Sequence, residues 1–176
     1  ITVPHGGIKV GFTTDRDRLT KAIAGISPIA PIEPLPCRTL ATLSTLETVL
    51  NQLTRTSAQP VVVAFLGASL TGVSTAEESQ RPDYGRGGVS AQGGACYLKT
   101  DDFVRIGQAV AAARAQLYII HPDYTMQPAM EGIENLRGQT NAPLFHLTSS
   151  ADPGLSRMAR ETSAYYVATF ETDPGE

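Results

Sequence analysis

Apolar residues in this chain fall into short runs separated by amphipathic stretches, and the densest run organises the others. Val61-Val62-Val63-Ala64-Phe65-Leu66 is unbroken, preceded by Pro60 and closed by Gly67-Ala68-Ser69. Such a run, β-branched at its start, predicts a strand buried on both faces, as in a parallel sheet covered by helices. Four further runs predict strands: Ile8 to Phe12, Leu117 to His121, Pro143 to Leu147 and Tyr165 to Phe170. The last is aromatic and β-branched, which suits a sheet edge.

Between these runs the apolar period lengthens to three and four residues, the mark of amphipathic helices. Thr14, three residues before Asp17, is a variant capping box that opens a helix reaching about Gly25, with Leu19, Ala22, Ile23 and Ile26 on one core-facing stripe. A second helix is expected from Leu40 to Thr54, where Leu43, Leu46, Leu50 and Leu53 form a narrow seam packed on the sheet. That seam is too short for a coiled coil, which wants three or more heptads. Thr100-Asp101-Asp102 caps a third helix lined by Phe103, Ile106, Ala109, Val110 and Ala113. A fourth is predicted from Pro128 to about Leu136 through Met130 and Ile133. Asp152-Pro153, a capping residue followed by proline, starts a fifth through Leu155, Met158 and Ala159, ending near Ser163. Strands alternating with helices in this way indicate an α/β domain with a largely parallel sheet.

Two connectors stand apart. Pro28, Pro31, Pro34 and Pro36 make the segment from Ser27 to Pro36 a stiff extended link, since proline lacks the amide donor that helix and central strand both need. Leu70 to Thr100 is Gly-rich and without apolar periodicity, either a binding loop or a disordered one. In open α/β sheets ligands bind outside the carboxyl edge of the strands, so Gly67 to Thr71 and the loop they open are the first place to look for function.

Composition narrows the classes. A chain of 176 residues, 41% hydrophobic and 18% charged, can bury a core as one domain spanning residues 1–176. A net charge of -3 with scattered Lys and Arg gives no basic stripe for nucleic acid. No apolar run approaches the roughly 20 residues needed to span a bilayer, so no membrane insertion is expected. There is no P-loop, no G-x-G-x-x-G at a strand-helix turn and no carboxylate cluster, and no cofactor is expected. Cys37 and Cys96 lack the spacing of a zinc site and are either two buried thiols or one disulfide.

The most enzyme-like feature is Gly67-Ala68-Ser69-Leu70-Thr71 directly after the apolar run. A serine on a tight turn at a strand's carboxyl end is how several hydrolases present a nucleophile, and His121 and His146, at or near strand ends, could serve as its base. The string resembles the Gly-Asp-Ser-Leu block of SGNH-type esterases. It departs from that block in having Ala68 for the aspartate, a mid-chain position and no Asp-x-x-His near the C-terminus. His5 lies in a Gly-flanked segment and reads as exposed. Histidines near strand ends more often belong to a core or rim than to a catalytic pair.

Several strings, in order, resemble the bacterial group related to the von Willebrand factor A domain. They are Val10 to Leu19 for an early strand and helix start, Pro60 to Ser69 for the fourth strand, Ala112 to Pro122 for the next helix and strand, and Leu155 to Tyr166 for the closing pair. The resemblance implies a three-layer α/β/α, Rossmann-like fold whose first strands lie upstream of Ile1, and a module that binds a protein or another macromolecule at the carboxyl edge. Thr39 or Thr42 would occupy the place of the family's metal-site threonine, and Gly67, Ser69 and Thr71 the loop after the fourth strand. Asp-x-Ser-x-Ser is absent, and Gly67-Ala68 stands where an aspartate would, so no hard cation is expected. The exposed edge of Val61 to Leu66 would then be covered by a strand from another chain, or in a homo-oligomer. The same arrangement brings Cys37 and Cys96 to one edge, where a disulfide would imply an extracytoplasmic protein.

Overall fold

The structure, a computed structural model, describes residues 10–11, 13–26, 33–56, 60–67, 69–74, 96–122, 130–147 and 152–163. The strand expected from Tyr165 to Phe170 and most of that from Ile8 to Phe12 lie outside them, as do residues 75–95 of the Gly-rich connector. In chain order the elements are α1 (Arg16–Ala24), α2 (Leu35–Thr56), β1 (Val61–Leu66), α3 (Thr100–Ala112), β2 (Ala115–Pro122), α4 (Glu131–Thr140), β3 (Leu144–Leu147) and α5 (Asp152–Glu161). Helices and strands alternate around a three-stranded parallel sheet of order β1-β2-β3, an α/β arrangement.

The middle strand is β2. Val61 to Leu66 pair with Ala115 to Ile120 on one side, and Leu144 to Leu147 pair with Ile119 to Pro122 on the other. Leu117 to His121 are buried without a break. The doubly buried strand is therefore β2, whereas β1, expected to be buried on both faces, is buried on one. In β1 burial alternates: Val61, Val63 and Phe65 lean on the core while Val62 is 45% and Leu66 71% exposed. A continuous apolar run does not distinguish one buried face from two, and single exposed apolar residues are common on protein surfaces. Among the described residues β1 pairs with β2 alone.

The core lies between the sheet and α2, α3 and α4. The seam Leu43, Leu46, Leu50 and Leu53 is buried as its spacing predicts, against Phe103, Ile106, Ala109 and Val110 of α3. Helix α2 starts five residues earlier than expected, with Pro36 in its first turn. There proline's missing amide is one that would have had no helical partner, so the restriction that bars it from helix interiors does not apply. Asp102 accepts the Lys99 amide at 2.8 Å and so opens α3, and it also takes a 2.9 Å bond from Arg105, which reaches Glu47 of α2 at 3.6 Å.

Helices α1 and α5 carry no buried residue. The stripe expected to face the core from α1 is not buried: Ile23 is 59% and Ile26 43% exposed. Its cap also sits one residue later than expected, at Asp15, whose carboxylate accepts the Arg18 amide at 3.0 Å. In α5, Gly154 lies on Phe145 and the Arg157 guanidinium sits 5.6 Å from the Phe145 ring centre, within cation–π range.

Two glycines in α4 should respond oppositely to a methyl group. A Cβ on Gly132 would overlap the Leu70 and Thr71 carbonyls, backbone that cannot move aside cheaply, whereas one on Gly138 meets nothing within 4 Å. Gly132→Ala should lower the unfolding free energy by about 1–3 kcal/mol, and Gly138→Ala should raise it by up to about 1 kcal/mol through helix propensity. Urea midpoints of the two variants beside the parent chain would check both signs.

Candidate functional site

The parallel strands end together, and the segment following β1 crosses that edge. Its first residue, Gly67, donates its amide to the Ile120 carbonyl at 3.2 Å, so Gly67 falls level with His121 of β2. From there the chain is fixed at successive points. Leu70 is buried, and its carbonyl accepts the Gly132 amide at 3.0 Å. The Thr71 amide donates to Thr39 Oγ1 at 3.1 Å, and that hydroxyl donates to the Leu35 carbonyl at 3.0 Å. The Ser74 amide donates to the Leu98 carbonyl at 2.9 Å, and the Leu98 amide returns a 3.1 Å bond to Ser74 Oγ.

The disulfide Cys37–Cys96 joins the first turn of α2 to the far end of the Gly-rich connector, with Cα atoms 4.9 Å apart. Of the two readings left by the sequence, the bridge is the one adopted. Cys96 is thereby tied to the start of α2, and two residues further on Leu98 pairs with Ser74.

The residues singled out from sequence divide by role. Thr39 is fully buried, with its hydroxyl engaged as donor and acceptor, so it positions the segment that carries Ser69 and Thr71. Thr42, Ser69 and Thr71 are half-buried. The Thr71 amide, being committed to Thr39, is not free to stabilise an oxyanion. His121 and His146 are register partners with ring centres 6.0 Å apart, His121 buried and His146 exposed. Among the described residues no group of three or more His, Cys, Asp or Glu could hold a metal ion.

Sequence reading missed Glu131 and Gly132. Helix α4 begins at this edge, Glu131 laying its side chain over Gly72 where a Cβ would otherwise stand. The signal was present as Gly72 and Gly132 each lacking a side chain, but nothing local in the sequence says that Gly72 lies under Glu131 or that Gly132 meets the Leu70 and Thr71 backbone.

On the other side of β2, burial pushes the Tyr118 phenol above its ordinary value, and the neighbouring Glu161 carboxylate, accepting its 3.3 Å hydrogen bond, adds to the shift. Glu161 is held below the usual carboxylate range, first by the Arg157 guanidinium, which donates to it at 2.7 Å. For Tyr118 the folded state retains a proton that the unfolded chain releases, so stability falls as pH rises past the ordinary phenol value. For Glu161 the sign is opposite: its contribution is present above the ordinary carboxylate value and is lost as pH falls through the lowered one.

No family model, curated protein or solved structure matches the chain.

Three tests follow from this geometry. Replacing both cysteines by serine, or reducing the parent chain, should cost about 4 kcal/mol in the chain-entropy account of a bridge spanning 59 positions, read from urea midpoints with and without reductant. Thr39→Val leaves the Thr71 amide without its acceptor and should cost about 1–3 kcal/mol, while Thr39→Ser, which keeps the hydroxyl, should recover most of it. Tyr118→Phe should flatten the loss of stability above about pH 10, measured as unfolding free energy against pH.

Proposed function

We propose that this chain is a module of von Willebrand factor A type, a three-layer α/β/α domain that binds a protein or another macromolecule at the carboxyl edge of its sheet, without catalysis. The observation that carries the reading is the fixing of the segment after β1 by Thr39, Gly132 and the Ser74–Leu98 pair. A surface held in advance loses less entropy when a partner docks. The parallel order and the placement of α5 on Phe145, next to Leu144 of the main core, support helices on both faces. The disulfide supports a secreted or periplasmic location, since cytosolic thiols stay reduced. No helix among the described residues is long and apolar enough to cross a membrane.

Ser69 hydrolysis is the competing chemistry, and the engagement of the Thr71 amide by Thr39 weighs against it. Two experiments separate the readings. A fluorophosphonate probe should leave the chain unlabelled; labelling that disappears in Ser69→Ala would establish the hydrolase instead. A photo-crosslinking amino acid at position 69 should capture a macromolecule from extracts of the producing cells, and the same group at position 138, at the far end of α4, should not. Equal capture at both positions would refute binding at the carboxyl edge.

A further inference from the structure

His121 and His146 are Cα partners on adjacent parallel strands, so their side chains leave the same face of the sheet from backbones about 5 Å apart. Their ring centres are 6.0 Å apart, with the planes at 72°. An imidazole nitrogen ligates a late first-row metal at about 2.0–2.1 Å, which puts the ring centre about 3 Å from the ion, so two rings sharing one ion at neighbouring positions have centres about 4.5–5 Å apart. The observed separation is about 1 Å longer, and a turn of the exposed His146 ring toward the fixed His121 would close it.

The surroundings favour such a site. His121 is 5% exposed and sits on the buried central strand, whereas His146 is exposed on the shorter β3. One ligand is fixed by packing and the other faces solvent, so an ion has both a rigid anchor and a way in. Imidazole suits copper, nickel and zinc, in contrast to the hard cations that need clustered carboxylates.

We propose that His121 and His146 together chelate a late first-row divalent ion, copper(II) most tightly, with water in its remaining positions. This goes beyond the binding reading above and does not depend on it. The site lies on β2 and β3, beside the segment after β1 and separate from its anchors.

The chain contains three histidines, which makes the test direct. The whole protein is titrated with copper(II) and zinc(II) chloride in a non-coordinating buffer by calorimetry, with the copper spectrum followed by electron paramagnetic resonance. One ion per chain is expected, with a two-nitrogen hyperfine pattern. His146→Ala, at an exposed position, should weaken binding by about 100-fold and reduce the pattern to one nitrogen, while circular dichroism stays that of the parent. His146→Gln should behave alike, and His5→Ala should leave binding unchanged. Absence of one-to-one binding, or binding that survives His146→Ala and is lost in His5→Ala, would overturn the proposal.

Discussion

Everything described in this fold depends on the enclosure of β2. A strand with neighbours on both sides has its amides and carbonyls satisfied by the ladders, and Leu117 to His121 can then be removed from water without leaving polar groups unpaired. Its inner-facing residues Leu117 and Ile119 meet the Leu seam of α2 and the Phe103 face of α3. The helices are placed by that contact, and the edge loops by the helices. The Thr39 hydroxyl stands at its position because Leu43 and Leu46 already set α2 in the core.

The sequence conveyed the helices that belong to the core better than those outside it. Leu43, Leu46, Leu50 and Leu53, and the face from Phe103 to Val110, were legible because a spacing of three and four residues carries both the element and the direction of its buried side. The same reasoning applied to Leu19, Ala22, Ile23 and Ile26 gave the helix and the wrong surroundings. Periodicity reports that a stripe exists; whether another element meets it is a tertiary fact. The half-exposed state of β1 has the same origin, since both runs are apolar throughout and only pairing distinguishes the middle of a sheet from its side.

The candidate site was legible in part. Location at the carboxyl edge follows from strand order, which the alternation of elements implied. The individual anchors did not follow: Thr39 bonding Thr71, and Gly132 bonding Leu70, join segments 32 and more positions apart through one hydroxyl and one bare Cα. Threonine and glycine are too common for such uses to be read locally. The cysteines were legible only as a pair of alternatives, two thiols or one bridge, and the structure joins them.

The bridge between Cys37 and Cys96 also changes what a cut in the backbone means. Any peptide bond hydrolysed between these residues divides the chain into two pieces that remain covalently joined through sulfur. The piece carrying α1 and the start of α2 therefore cannot diffuse away from the piece carrying β2, and a nicked molecule can keep its shape. On a denaturing gel it would migrate as a single species without reductant and as fragments with it. A cut between the two cysteines would thus leave a covalently intact particle until its thiols were restored.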